Sequence, residues 1–195
     1  MGRAGLTVER IVAAAAELAD DVGFDKLTLS ALARQFGVKD ASLYSHVRNL
    51  GELRTRLALL AGAEMIDRIA AAVAGRAGRD ALAAFAGAYR EYALNHPGRY
   101  AAAQIRIDQS LVADSPALRR TAEITCGMLR GYGLDEPDLT DAVRLLRSTF
   151  HGYCALEASG GFGAPRDVQA SWDQAVEALH TALEHWPREK KKADG

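Results

Sequence analysis

Apolar residues recur every three or four positions along most of this chain, which is the spacing of one face of an α-helix. No stretch alternates apolar and polar residues for the length of a β-strand. Alanine and leucine, which form helices readily, are abundant throughout. The pattern predicts an all-α protein of about nine helices.

The first two predicted helices are bounded by capping residues. Thr7 and Thr28 each precede an apolar face and suit the N-cap position, where a side-chain oxygen accepts a bond from the first turn. Gly23 and Gly37 follow those faces and suit the position after a helix end. The two helices are therefore predicted to run between these caps.

The segment after Gly37 predicts a helix-turn-helix. A third helix of about two turns is expected from Lys39 or Asp40 to Val47, with Leu43 facing inward. Gly37 supplies the positive φ that the turn needs, and the small Ala33 lies where the two helices come closest. The apolar residues expected to hold the angle between the helices are Leu32, Phe36, Val38 and Leu43.

The remaining chain predicts a larger helical region. A long amphipathic helix runs from Leu50 to about Val73, and a glycine-containing linker follows at residues 74–80. The next helix ends near residue 95, because Pro97 interrupts it. Further helical stretches are predicted over residues 100–107, 116–132, 137–159 and 168–186.

These patterns divide the chain into three parts. Residues 1–50 are predicted to form a three-helix helix-turn-helix domain, and residues 51–188 a larger C-terminal helical bundle. The charged residues 189–195 are predicted to be a disordered tail.

The composition and the distribution of charge predict where the protein is located and which segment is positively charged. Hydrophobic residues make up 49% and charged residues 25% of the chain, as in a folded soluble protein. The first residues lack the apolar core of a signal peptide, and no uncharged apolar run is long enough to span a membrane, so we expect a cytoplasmic protein. The net charge is −1, yet residues 28–56 carry a formal charge of +3.

A helix-turn-helix with local positive charge predicts binding to DNA, with the third helix in the major groove. Tyr44 suits a phosphate or a thymine methyl, and Thr28, His46 and Arg48 suit the DNA backbone. The alternative is that Tyr44 and His46 merely cap a three-helix core. The predicted DNA-contacting residues are Thr28, Ser30, Lys39, Asp40, Ala41, Ser42, Tyr44, Ser45, His46 and Arg48.

Residues 22–53, VGFDKLTLSALARQFGVKDASLYSHVRNLGEL, resemble the DNA-binding domain of the tetracycline-repressor (TetR) family of bacterial regulators. The LYxH element at residues 43–46 is a specific part of that resemblance. The matching residues are Gly23, Leu27, Thr28, Leu32, Ala33, Gly37, Val38, Leu43, Tyr44, His46 and Leu53.

The resemblance implies a ligand-responsive transcriptional regulator without a cofactor. It implies a homodimer that binds a pseudo-palindromic operator, most often as a repressor, and is released by a small-molecule effector. One position departs from the family pattern: many members have a phosphate-binding lysine where this chain has Leu50. That contact is expected to be lost or to be made by Arg48 or Arg54.

The C-terminal half resembles the family more loosely. The tripeptide FHG at residues 150–152, together with NHPGRY at residues 95–100, resembles the subgroup with a Trp-His-Gly signature. Phe150 stands here in place of the tryptophan.

Two apolar stripes on the helix over residues 137–159 predict two partners, the domain's own core and a second subunit. We expect this helix and the last one to form a four-helix interface between two copies of the chain. The predicted interface residues are Leu145, Thr149, Gly152, Leu156, Val176, Leu179 and Leu183.

An effector site is predicted from aromatic residues with a few polar groups among them. Arg106, between two isoleucines, points to an acidic or polar group on the ligand. The alternative is that an aromatic stripe at helical spacing is ordinary core. The candidates are Phe85, Tyr89, Tyr92, His96, Arg106, Met128, Phe150 and His151.

Two other classes of protein compete with a regulator. Glu177 and His180 form one ExxH pair, but a di-iron bundle needs two such pairs, and GxSxG and HExxH are absent, so we expect no enzyme. Cys126 and Cys154 lack metal-site spacing, and no metal site is predicted. A helical ligand-binding or adaptor protein without DNA activity remains the other alternative.

Overall fold

The computed structural model describes residues 5–107 and 116–187. Within these ranges the regular elements are all helical, which confirms the all-α prediction. The helices are α1 (Val8–Val22), α2 (Leu29–Phe36), α3 (Asp40–Leu43), α4 (Leu50–Val73), α5 (Gly78–Asn95), α6 (Pro97–Ala103), α7 (Pro116–Arg130), α8 (Asp138–Ala158) and α9 (Val168–Glu184), with a 3₁₀ turn at Phe24–Lys26 between α1 and α2. The predicted tail, residues 189–195, lies outside the described residues.

The predicted caps of the first two helices are confirmed. The hydroxyl of Thr7 accepts a hydrogen bond from the backbone N–H of Arg10 at 3.3 Å, and that of Thr28 accepts one from Ala31 at 3.2 Å. Each bond satisfies an N–H group that has no partner within its own helix.

The third helix is shorter than predicted. α3 spans only Asp40–Leu43, and the residues up to His46 form turns. The N–H of His46 bonds to the carbonyl of Leu43 at 2.9 Å, and the Ser45 hydroxyl donates to the carbonyl of Ser42 at 2.8 Å. The Leu43 carbonyl also accepts the N–H of Val47, four positions ahead, at 3.0 Å, so bonds of the 3₁₀ and α-helical types are mixed where the regular helix gives way to turns. Val47, which follows these turns, faces inward and is buried.

Two other helix ends also differ from the prediction. α5 begins at Gly78, inside the predicted linker, and Asp80 in its first turn complements the positive end of the helix dipole. α6 ends at Ala103, because the N–H of Gln104 already bonds to the carbonyl of Ala101 at 3.2 Å in a tighter turn.

The chain forms two compact units. Among the described residues, the N-terminal unit comprises 5–67, 91–107 and 116–119, and the C-terminal unit comprises 68–90 and 120–187. Three helices, α4, α5 and α7, each pass from one unit into the other. Consequently the end of α5 and the whole of α6 belong to the same unit as α1, α2 and α3. Within the described ranges, none of the helices combines the length and apolar character needed to cross a membrane.

The N-terminal unit has one core shared by α1 to α4 and α6. Alanines dominate the buried face of α1, which allows other helices to approach its backbone closely. Ala102 brings α6 into the same core. The large buried members of this core are Ile11, Phe24, Leu27, Leu29, Leu32, Leu43, Leu53 and Leu57.

Within this core, α6 packs closely against the end of α1. Pro97 opens α6, where its missing N–H costs nothing, and Gly98 follows against the backbone of Ala19. A Cβ atom at Gly98 would lie 2.0 Å from the Ala19 carbonyl carbon and oxygen. Only glycine therefore fits here without moving one of the two helices.

A network of charged and polar side chains surrounds this contact. Asp20 of α1 accepts a hydrogen bond from the Arg99 backbone N–H at 2.8 Å, and its other oxygen lies 3.2 Å from Arg99 Nε. The same oxygen lies 3.3 Å from Nδ1 of His96. Asp20 thereby caps α6 from a different helix and pairs with the cation on its first turn.

The network continues into α4 and α5. Glu64 of α4 lies 3.5 Å from Arg99 Nη1, and the Tyr92 hydroxyl donates to Glu64 at 3.2 Å and to the Ala61 carbonyl at 3.1 Å. Burial, reinforced by the Glu64 carboxylate, raises the pKa of Tyr92 well above its usual value, so this hydroxyl stays protonated and able to donate.

The C-terminal unit has an aromatic core on α5, α8 and α9. The ring of Phe150 lies 6.1 Å from Phe85, 5.5 Å from Tyr89 and 5.5 Å from Trp172 between centroids. At its edge, Arg90 makes two hydrogen bonds to Glu157, at 2.6 and 2.7 Å, and lies over the Trp172 ring. This bidentate pair joins α5 to α8 beside α9.

The contact at Gly98 generates a prediction about stability. The Gly98→Ala variant should lose on the order of 3 kcal/mol of unfolding free energy, because the new methyl group collides with backbone atoms that cannot rotate away. Urea denaturation followed by circular dichroism measures this loss. The matched control is Gly87→Ala on α5, where open space receives the methyl group. That variant should gain up to about 1 kcal/mol, and an equal effect of the two changes would contradict the prediction.

Candidate nucleic-acid interface

The turn between α2 and α3 has the predicted helix-turn-helix geometry. Gly37 adopts φ 66° and ψ 34°, the left-handed conformation that favours glycine. The N–H of Val38 bonds to the carbonyl of Ala33 at 3.0 Å, and Ala33 itself is completely buried. Leu32 and Leu43 are also completely buried, so the angle between the helices is set by core packing.

The predicted DNA-contacting residues lie on the first turn of α2, on α3 and in the turns after it. Leu43 and Val47 point into the core and fix this segment from behind. Ser42 and His46 are half-buried. The exposed members of the set are Thr28, Ser30, Lys39, Asp40, Ala41, Tyr44, Ser45 and Arg48.

Tyr44 is the largest group on this surface. Its side chain is 54% exposed, so Tyr44 does not cap the core of the N-terminal unit. Ala41 beside it is small and exposed, which allows another molecule to approach the helix closely. The surface therefore has the form of one protruding aromatic residue among small ones.

Two of the predicted residues bond to each other. The Ser30 hydroxyl on α2 donates a hydrogen bond to the carboxylate of Asp40, the first residue of α3. This bond ties the two helices together on the exposed side of the turn. Asp40 therefore already has a partner in the free protein.

A second carboxylate lies at the other end of the segment. The backbone N–H and Nε of Arg48 both donate to Glu52 Oε2, at 2.7 and 3.1 Å. Arg56 donates to the other Glu52 oxygen at 2.8 Å, and the Asn49 side chain caps α4 at the N–H of Glu52. The bond from the Arg48 backbone and those from both guanidinium groups lower the pKa of Glu52 to about 2.

The positions of Arg48 and Arg54 differ sharply. Arg54 lies over the ring of Phe24, 5.2 Å from its centroid, and donates to the carbonyl of Asp25 at 3.2 Å. Arg48 extends into solvent. Of the two arginines proposed to replace the lysine missing at Leu50, Arg48 is therefore the one on the exposed surface.

The predicted effector residues fall into two groups. The C-terminal unit contains Phe85, Tyr89 and Phe150, whose rings pack together, and also the half-buried Met128 and the exposed His151. The N-terminal unit contains Tyr92 and His96, which join the Asp20 and Glu64 network, and the exposed Arg106. Trp172 also belongs to this aromatic group, although the sequence prediction did not include it.

The predicted dimer residues also separate. Leu145 and Leu156 of α8 are 36% and 49% exposed, and Thr149 and Gly152 lie half-buried between them on one face. A Cβ atom on Gly152 would meet nothing within 4 Å. The three α9 residues of the prediction, Val176, Leu179 and Leu183, are instead buried within the single chain.

The pair behind the enzyme alternative is engaged in other contacts. Glu177 accepts a hydrogen bond from Arg79 at 2.7 Å, and His180 lies 3.0 Å from the Tyr132 hydroxyl. Within residues 5–107 and 116–187, no group of three His, Cys, Asp or Glu side chains is arranged to hold a metal ion. Burial raises the pKa of the Cys154 thiol to about 11, which keeps it protonated.

Two family models match the chain. The model of bacterial regulatory proteins of the tetR family covers residues 11–53, and the model of the tetracyclin repressor-like C-terminal domain covers residues 82–179. The chain belongs to the TetR family of transcriptional regulators. The turn and exposed segment described above are therefore the DNA-binding helix-turn-helix of a TetR-family regulator. The C-terminal match names no Trp-His-Gly subgroup, so that assignment stays a prediction.

Relatives of known sequence agree with this assignment. The chain is 39% identical over 161 residues to the uncharacterized HTH-type transcriptional regulator Rv0681 of Mycobacterium tuberculosis, covering 80% of this chain and 72% of that one. It is 32% identical over 189 residues to the uncharacterized HTH-type transcriptional regulator YobS of Bacillus subtilis, covering 93% and 94%.

A solved structure shares the fold. The TetR family protein ActR of Streptomyces coelicolor in complex with (S)-DNPA has a TM-score of 0.70 and 21% identity, covering 94% of this chain and all of that one. This likeness supports the arrangement of an N-terminal helix-turn-helix and a helical C-terminal region.

Proposed function

We propose that this TetR-family regulator is a repressor that binds a pseudo-palindromic operator as a homodimer and leaves it when a small-molecule effector binds. The observation that carries the proposal is the exposed segment from Lys39 to Arg48, which is held from behind by buried Leu43 and Val47. A segment of this kind enters the major groove at a fixed angle.

The DNA contacts are proposed to have separate roles. Tyr44 and the small residues Ala41 and Ser42 face base edges, while Thr28, His46 and Arg48 contact the backbone. Lys39 and Ser45, which are exposed on the same segment, complete the surface. Few of these side chains make strong base contacts, so specificity depends also on half-site spacing and DNA shape.

A homodimer is proposed through the exposed face of α8. Leu145 and Leu156 are large apolar residues at this surface, and Gly152 between them leaves room for another helix. A two-fold interface brings the same face of each copy together. Because Val176, Leu179 and Leu183 already belong to the chain's own core, α9 would contribute through its exposed residues instead.

The effector is proposed to act from the aromatic group of the C-terminal unit, with Phe85, Tyr89 and Phe150 as contacts. Helix α5, which carries Phe85 and Tyr89, continues into the N-terminal unit, where Tyr92 bonds to Glu64. A ligand that binds better when this helix is displaced would shift the population away from the DNA-binding arrangement.

Selection of DNA from a random library with the purified protein tests the function. We expect enrichment of a palindromic sequence whose half-site centres are separated by roughly one helical turn or a multiple of it, about 34 Å per turn. Addition of candidate metabolites should then release the enriched duplex. Enrichment of no palindromic sequence would favour an adaptor or ligand-binding protein and contradict the proposal.

The same duplex tests Tyr44. The Tyr44→Ala variant should bind it about tenfold more weakly without a change in unfolding free energy, because this side chain is largely outside the core. Tyr44→Phe separates the hydroxyl from the ring, and Val22→Ala, at another exposed apolar residue, is the control. Wild-type affinity in Tyr44→Ala would remove this residue from the interface.

Sedimentation velocity tests the dimer surface. The wild type should sediment as a dimer at micromolar concentration, and the Leu145→Glu, Leu156→Glu double variant as a monomer, because the new charges would be buried against each other. The control Val22→Glu makes the same kind of change at an exposed position of α1 and should remain dimeric. A monomeric wild type, or a dimeric double variant, would show that this face is not the interface.

A further inference from the structure

One carboxylate organises the exposed cations at the start of α4. Oε2 of Glu52 accepts the backbone N–H and Nε of Arg48, while Oε1 accepts Nε and Nη2 of Arg56 at 3.1 and 2.8 Å. Hydrogen bonds between charged groups are stronger and more directional than neutral ones. Glu52 therefore restrains both guanidinium groups at once.

The exposed fraction of the side chain increases from Glu52 to Arg56 and from Arg56 to Arg48. Glu52 is 15% exposed, Arg56 45% and Arg48 86%. The carboxylate is thus covered by its partners, and Arg48 is the member that reaches furthest into solvent. Its Nε is bonded to Glu52, while most of the Arg48 side chain is exposed to solvent.

Arg56 is bonded to Glu52 through two of its guanidinium nitrogens. Besides bonding to Glu52, it contributes to the low pKa of Glu9 at the start of α1, after the larger effects of a backbone N–H and the Thr7 hydroxyl. Its two hydrogen bonds to the same carboxylate oxygen make Arg56 suited to holding Glu52 in place.

A carboxylate at a DNA-facing surface is electrostatically unfavourable, because it repels phosphate. Glu52 lies only four positions after Arg48, which directly follows the buried Val47 at the end of the exposed segment. Its presence is explained if it orients Arg48, since a preoriented planar guanidinium loses less entropy when it binds an oxyanion.

We propose that Glu52 is a positioning residue that, anchored by Arg56, holds Arg48 in the orientation in which it binds a phosphate of the operator backbone. This inference rests on the proposed function and assigns roles to Glu52 and Arg56 that the sequence did not reveal. It also explains how the chain binds the DNA backbone although Leu50, at the start of α4, stands where many family members have a phosphate-binding lysine.

The test compares Glu52→Gln with Glu123→Gln, which makes the same charge change at an exposed position of the C-terminal unit. The probes are the duplex enriched by the wild type and a random-sequence duplex of equal length. Simple electrostatics predicts tighter binding by Glu52→Gln to both duplexes, because one repulsive charge is removed. Positioning predicts about fivefold weaker binding to the enriched duplex with no weakening on the random one.

Arg48 supplies the second measurement. Arg48→Ala should weaken binding to the enriched duplex about tenfold and reduce the slope of log affinity against log salt by about one. In the Arg48→Ala background, Glu52→Gln should cause no further loss, because Glu52 acts through Arg48. A further loss as large as in the wild-type background would overturn the proposal.

Arg48→Lys keeps the charge and leaves Glu52 unchanged, so it remains informative even if Glu52→Gln does not fold. It should bind the enriched duplex as weakly as expected for Glu52→Gln, with an unchanged salt slope, because an ammonium group cannot be held and bind in the same planar way. Wild-type affinity of Arg48→Lys, or Glu52→Gln behaving like Glu123→Gln, would overturn the positioning role alone. Failure of the wild type to enrich any sequence would overturn the proposed function with it.

Discussion

The contact between Gly98 and the backbone of Ala19 is the constraint on which the N-terminal unit depends. It brings α6 so close to α1 that no side chain fits between them, and it places Asp20 over the first turn of α6. Asp20 then meets Arg99, and Arg99 meets Glu64 of α4. Because Gly98 has no side chain, α6 can be joined to α1 and α4 by ion pairs and hydrogen bonds.

The DNA-binding surface is supported by the core of the N-terminal unit, which this contact helps to hold together. α3 has only four helical residues and cannot be stable by itself, since isolated helices of that length do not form in water. Its orientation comes from Leu43 and Val47 in the shared core, from the Gly37 turn, and from the Ser30 side chain at its first residue. The Glu52 side chain holds Arg48, after the turns that follow α3. Because α1 and α4 contribute to that core, the contacts that fix these two helices also fix the recognition segment.

Local signals in the sequence predicted local features well. The threonine caps and the left-handed Gly37 depend on residues within a few positions of each other, so their physics is readable from a short stretch. The predicted end of α3 was wrong by several residues, because hydrogen bonds to the residue three positions back are close in energy to the helical bonds four positions back. The role of Gly98 was missed: its neighbour Ala19 is distant along the chain, and only the folded structure brings their backbones together.

The candidate DNA-binding surface also has features that are readable from the sequence and others that only the folded structure shows. The exposed positions around Tyr44 follow from helical spacing, but the pairing of Asp40 with Ser30 requires the angle between two helices. Glu52 had a readable signal, because Asn49 and Glu52 have the spacing of a helix cap, yet its bonds to two arginines depend on side-chain rotamers. On α9, helical spacing could not tell which apolar face the chain's own core would use.

A double-mutant cycle between Asp20 and Arg99 tests most directly whether α1 and α6 are joined as one cooperative unit. The unfolding free energies of Asp20→Ala, Arg99→Ala and the double variant, measured with urea, give the coupling between the two side chains. We expect a coupling of about 1–3 kcal/mol, because both groups are mostly buried and in contact. Effects that add to within about 0.5 kcal/mol would show that the ion pair does not join the two helices.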